Sequence, residues 1–174
     1  MSEDQPVRPV QISVIGTGSP DERLMELASE VGRRLAEAGA VIVCGGLRGV
    51  MEGAARGAST AGGTVIGVVP SSATSEANEY CTHVIATGVG EARNLAVVSS
   101  GDAVIAVGGE WGTLAEIAFA RRLGRRVIAL ESWHVSGAGA MEGGPGIEIA
   151  ADPARAVELA LRAARQKAGS TGAE

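Results

Sequence analysis

DAVIAVGGEWGTLAE, residues 102–116, decides how this chain folds. An apolar run at 103–107 meets glycines at 108, 109 and 112, and an amphipathic pattern then begins. The stretch therefore reads as a buried strand emptying through a tight turn into a helix. Such a junction is an anion site, because glycine lets a ligand approach the backbone and the first helical N–H groups point outward at the positive end of the helix dipole. A phosphate is expected at Gly108, Gly109, Gly112 and Thr113.

Working outward, the same order of strand, glycine turn and helix recurs. Residues 11–15 form a strand that ends at Gly16-Thr17-Gly18, and Ser19 with Glu22 makes a capping box for a helix with Pro20 at its first position. Leu24, Leu27, Ala28, Val31, Leu35 and Ala38 share that helix's apolar face. Residues 41–44 form a second strand, followed by Gly45-Gly46-Leu47-Arg48-Gly49 and a small-residue helix with Met51, Ala54, Ala55 and Ala58 inward. A third strand at 64–69 runs into a polar loop from Pro70 to about Glu79. The fourth, at 82–86, is followed by Gly88, Gly90 and a helix over 91–100 with Arg93 and Asn94 in its first turn. The helix after the central strand runs to Leu123, a sixth strand covers 127–130, and 131–146 is glycine-rich and irregular. Residues 147–150 read as a last strand, and Asp152-Pro153 caps a final helix.

Buried strands alternating with helices imply an α/β fold, a Rossmann-like three-layer sandwich with a central, mainly parallel sheet. In open sheets of this kind ligands bind beyond the carboxyl ends of the strands, where all four glycine turns gather. We expect a disordered lead at 1–9, one Rossmann-like domain at 10–167 and a flexible tail at 168–174.

The chain has 174 residues, 45% of them apolar, and a net charge of −5. That balance favours a phosphorylated small molecule over nucleic acid or an anionic membrane surface. No apolar run approaches a bilayer span and the polar start lacks the regions of a signal peptide, so a cytoplasmic protein is expected. Cys44 and Cys81 suit reduced thiols, and the His, Cys and acidic residues show no metal-ligand spacing.

Two known phosphate motifs can be weighed. Gly16 and Gly18 supply two of the three glycines of a dinucleotide fingerprint, Asp21 stands at the third, and Cys44-Gly45 lies where an acid would hold the ribose. No Gly-Lys-Ser/Thr exists for a P-loop. Thr113 to Glu116 has the form of a capping box. Alternatively, Glu116 sits one turn into a phosphate-holding helix and faces the body of the ligand. Arg93 and Asn94 follow a glycine turn, which favours Arg93 as the phosphate partner. Arg48, inside the second turn, is as well placed for solvent as for an anion. His83 reads as a core or edge histidine, Cys44 as a small buried residue, and Trp133 and His134 as residues at the ligand edge. A side chain added at Gly109 is expected to block the ligand while leaving the fold intact.

GGLRGVMEGAARGA, GGTVIGVVP and EARNLAVVSSGDAVIAVGGEWGTLAE together resemble the Lonely Guy superfamily, historically labelled lysine decarboxylase-like, from about residue 11 to 130. The short chain and the Ala-Arg-Asn form of the arginine motif are most similar to the molybdenum cofactor carrier protein-like branch. The resemblance implies a Rossmann-like fold assembled as a homodimer or homotetramer. In the carrier-like branch the pocket holds a phosphorylated pterin, so the molybdenum cofactor is a possible bound ligand and no cofactor is required. In the phosphoribohydrolase branch, enzymes split the N-glycosidic bond of nucleoside 5'-monophosphates, and Arg93 and Glu116 correspond to the catalytic pair. The resemblance implies that Gly108, Gly109, Gly112 and Thr113 hold the phosphate; the gathering of the glycine turns at the strand ends adds Gly16, Gly18, Gly45, Gly46, Arg48, Gly49 and Asn94 as candidate ligand contacts.

Two departures from the hydrolase pattern, Val107 for a proline and Asn94 for a lysine, bear on turnover rather than on binding. The leading expectation is therefore a binding protein for a phosphorylated nucleotide or molybdopterin-type ligand; the alternative is a nucleoside 5'-monophosphate phosphoribohydrolase of the cytokinin-activating type. Decarboxylation with pyridoxal phosphate is rejected, because the only lysine, Lys167, lies away from every glycine turn.

Overall fold

The computed structural model describes residues 8–135 and 146–170. Seven strands alternate with five helices: β1 (Gln11–Gly16), α1 (Glu22–Glu37), β2 (Val41–Cys44), α2 (Val50–Thr60), β3 (Val65–Val69), β4 (His83–Ala86), α3 (Arg93–Ser100), β5 (Ala103–Val107), α4 (Trp111–Arg122), β6 (Val127–Leu130), β7 (Ile147–Ala150) and α5 (Pro153–Ser170). Single 3-10 turns stand at Thr74–Glu76 and Gly90–Ala92. The strands form one sheet in the order β4-β3-β2-β1-β5-β6-β7, and every pairing is parallel. Chain order reverses between β1 and β5, which makes the crevice above these two strands the place where such sheets bind ligands.

The inner strands β2, β5 and β6 are apolar along their length because both faces of the sheet are covered there. On β5, Ala103, Ile105 and Val107 join the cluster under α1, α2 and α5, whereas Val104 and Ala106 join the one under α3 and α4. One buried hydroxyl ties the layers together: Ser13 donates to the carbonyl of Val97 at 2.7 Å, fixing α3 and the arginine at its start over β1.

Two starts differ from the sequence reading. The box of Ser19 and Glu22 does not form. Asp21 caps α1 by accepting from the Leu24 N–H at 3.0 Å, and Pro20 lies ahead of the helix, because the Ser19 hydroxyl is engaged by Glu110. Ala38, expected on the apolar face, is the exposed residue just past the helix, while Ala28, Val31 and Leu35 are buried as expected. The box of Thr113 and Glu116 does not form either. Gly108 and Gly109, at φ 56° and 136°, turn the chain so sharply that α4 already begins at Trp111, and Thr113 lies inside its first turn.

Helices α1 and α2 approach each other through glycine, a contact the sequence reading did not anticipate. A methyl group on Gly32 would collide with the Ala54 carbonyl, and one on Gly57 with the Ser29 carbonyl. The two helices begin at the turns after β1 and β2, so their closeness sets the spacing of two walls of the crevice. Gly57→Ala is expected to lower unfolding free energy by about 1–3 kcal/mol through overpacking. A urea midpoint reduced at unchanged slope would show this; an unchanged midpoint would mean that the helices have room to part.

Candidate functional site

The glycine turns meet at a cleft of about 200 Å³ over the carboxyl ends of β1 and β5. The end of β1 supplies Gly16, Thr17 and Gly18, and Gly45 and Met51 come from the turn and helix after β2. Glu91, Arg93 and Asn94 enter from the start of α3, and Glu110, Gly112, Thr113 and Glu116 from the start of α4. Gly16 lets the strands converge, since a Cβ there would strike the Val107 carbonyl.

Arg93 is the buried cation of this cleft, only 8% exposed. Its guanidinium lies against Gly45, where an added Cβ would stand 2.8 Å from Nη1 and 2.9 Å from Nη2, so the glycine is what gives the arginine its seat. Nη1 donates to the Asn94 side-chain oxygen, whereas Nε is buried with no hydrogen-bond partner in the described structure. The nearest carboxylate oxygen, from Glu116, is 4.0 Å from Nη1, beyond hydrogen-bond length. Burial pulls the arginine below its ordinary pKa, with Glu116 opposing. The group nonetheless stays protonated, as guanidinium does in proteins. A charged, dry, partly unsatisfied donor set of this kind is complementary to an oxyanion.

Glu116 is also buried, and removal from water raises its carboxyl to about 7 against the pull of Arg93. It is thus poised to hold or release a proton near neutrality. Glu110, by contrast, is exposed; its carboxylate accepts from the hydroxyls of Thr17 and Ser19, each at 2.8 Å, and these bonds hold it below the ordinary value.

Other expected site residues lie around this cleft or beneath it. Gly112 lines it and has nothing within 4 Å of an added Cβ, so ligand atoms can approach the first turn of α4 there. Gly109 corrects our expectation for a bulky substitution: at φ 136° and with the Thr113 side chain 2.7 Å from an added Cβ, it serves the turn itself, and a side chain there would strain the fold. Gly108 faces Leu24; Gly49, at φ 65°, packs under the Thr17 carbonyl. Gly46 lies against β3 and accepts from Asn78.

Arg48 is exposed on a second cleft of about 550 Å³, which shares Gly18 and Met51 with the first and is otherwise walled by Leu47, Glu52 and residues 75–79. Asn78 fixes that wall, its Nδ2 donating to the carbonyls of Gly46 at 3.1 Å and Leu47 at 2.8 Å. Trp133, expected at the ligand edge, instead donates from Nε1 to the Glu110 carbonyl at 3.1 Å and meets Trp111 at 5.3 Å between ring centres. His134 is exposed, and His83 is exposed on the edge strand β4. Cys44 is buried under Met51. Among the described residues no helix is long and apolar enough to cross a membrane, and no group of three or more His, Cys, Asp or Glu is placed to hold a metal ion. Part of the segment at 131–146 lies outside the described residues.

Sequence reasoning missed the polar part played by Thr17, Ser19 and Glu110. A hydroxyl between two glycines at a strand end, and a carboxylate inside the turn that opens a helix, were the available signals.

The model of the SLOG cluster4 family matches residues 9–157. An uncharacterized protein of Archaeoglobus fulgidus is 45% identical over 122 residues, covering 70% of this chain and 80% of its relative. The molybdenum cofactor binding protein from the phototrophic bacterium Rippkaea orientalis superposes with a TM-score of 0.79 at 34% identity, over 87% of this chain and 95% of that one. The molybdenum cofactor carrier protein from Chlamydomonas reinhardtii does so at 0.77 and 32%, over 89% and 98%.

The protonation of Glu116 has a consequence for stability. Its folded-state pKa is raised from 4.5 to about 7, so between these values the folded chain binds the extra proton and stability falls as pH rises. The full effect corresponds to roughly 3 kcal/mol. Glu116→Gln is expected to flatten this slope, so that the variant gains on wild type between pH 5 and pH 8 in denaturant titrations. Parallel pH profiles would show that the carboxyl is ionised across the whole range.

Proposed function

The chain belongs to the SLOG cluster4 family, and from that premise we propose that it is a binding protein for a phosphorylated small molecule, a nucleotide or a molybdopterin-type cofactor carried as cargo. The observation that carries the reading is Arg93: a buried guanidinium with an unpartnered Nε and its nearest described carboxylate, Glu116, 4.0 Å away. A phosphate in the cleft completes its coordination, with the backbone of the first turn of α4 at Gly112 and Thr113 as further donors. The glycine turns supply the close approach, and the second cleft, joined through Gly18 and Met51, offers room for the heterocycle. The similarity to molybdenum cofactor proteins of two organisms supports a pterin as the cargo. The residues present fit such a group: a cation held unsatisfied, and a glycine whose missing side chain leaves the helix start open. The net charge of −5 supports a small ligand over nucleic acid.

One observation favours a second reading, the phosphoribohydrolase. A carboxyl at about 7 beside a guanidinium is able to take a proton from water as the water attacks the sugar carbon. The bond to the base would break with its electron pair going to the base nitrogen, and the ionised form of Glu116 would stabilise the positive sugar in between.

Purified protein incubated with adenosine monophosphate separates the two readings. Binding without chromatographic release of adenine is the result expected of the carrier, whereas release that Glu116→Gln abolishes is the result expected of the enzyme. Arg93→Ala is expected to weaken binding of the same nucleotide by about 1.5–3 kcal/mol in titration calorimetry. Unchanged affinity would remove Arg93 from the site.

A further inference from the structure

The anion cleft contains an anion of the chain's own. Glu110 is the N-cap residue of α4, yet its side chain caps no helical N–H. It reaches back to the turn after β1, where one oxygen, Oε1, accepts from both the Thr17 and the Ser19 hydroxyl at 2.8 Å. Thr17 is itself buried and held in orientation, since its oxygen accepts from the Ser19 N–H at 3.0 Å. The carboxylate thus lies at the positive end of a twelve-residue helix, on two hydroxyl donors, in the cleft that also holds the unsatisfied buried side chain of Arg93. These features are those that a phosphate would seek.

We propose that Glu110 holds the anion subsite in the absence of ligand, and that a ligand phosphate enters by displacing it from Thr17 and Ser19. The inference rests on the reading of this cleft as a phosphate site. Its consequence is exchange rather than simple addition: the incoming group takes over both hydroxyls that Oε1 held, and a phosphate has further oxygens left for Arg93 and the first turn of α4. Once displaced, the carboxylate swings into solvent, where it already has exposure. The cost of removing Glu110 is common to every incoming anion, so the exchange lowers all affinities alike without changing their order.

Glu110→Ala tests this, with inorganic phosphate and adenosine monophosphate as probes in titration calorimetry. The variant is expected to bind both about tenfold tighter than wild type, since the ligand no longer has to break charge-assisted bonds. The gain is expected to persist at about 0.5 M salt, where a mere through-space repulsion is screened. Thr17→Val is expected to cost more affinity in the Glu110→Ala background than in wild type, because only there is the hydroxyl free before the ligand arrives. Equal affinity of wild type and Glu110→Ala, a gain that disappears with salt, or strictly additive effects of the two substitutions would each overturn the exchange while leaving the phosphate site standing. Failure of both proteins to bind either probe would overturn the two readings together.

Discussion

A guanidinium buried without full hydrogen bonding is the constraint around which this molecule is arranged. Withdrawing a charge from water is costly, and an ion pair repays that cost only when the partners are close and their remaining donors are satisfied. Arg93 meets neither condition: Glu116 stays beyond hydrogen-bond length, and Nε is left bare. The low-dielectric surroundings act on both partners, pulling the arginine down and pushing Glu116 up to about 7. A site of this kind is under tension that an oxyanion relieves.

The fold exists to hold that arrangement open. Reversal of chain order between β1 and β5 leaves a crevice no loop has to fill, and small residues convert it into a cleft. Gly16 lets two strand ends close beneath it, Gly45 seats the guanidinium, and Gly112 leaves the start of α4 accessible. The tight α1 to α2 contact and the bond from Ser13 to Val97 keep the walls at their distance. Packing and the cleft both depend on glycine, at different positions: Gly32 and Gly57 serve packing, Gly45 and Gly112 serve the cleft.

Much of this was legible in the sequence, for identifiable reasons. Short apolar runs ending at glycine mark β1, β2 and β5 as parallel strands that stop at a ligand edge, and all seven expected strands appear in the structure. Arg93 and Glu116 are brought together as their positions just after glycine turns suggested. Helix starts were less legible, because a Ser-x-x-Glu or Thr-x-x-Glu spacing states only that a capping box is available; at both sites a tertiary partner or a glycine turn took precedence. The second cleft and the hold of Thr17 and Ser19 on Glu110 depend on contacts some ninety residues apart, or between loops, and no local pattern encodes them.

The claim that matters is that Arg93, although its Nη1 bonds Asn94, keeps Nε without a partner until an oxyanion arrives. It is tested most directly by the nitrogen-15 resonance of its Nε–H, followed as adenosine monophosphate is added. This signal is expected to shift, and its proton to become protected from exchange with water, as the nucleotide binds. A resonance that stays fixed at saturating nucleotide, with binding confirmed independently, would contradict it.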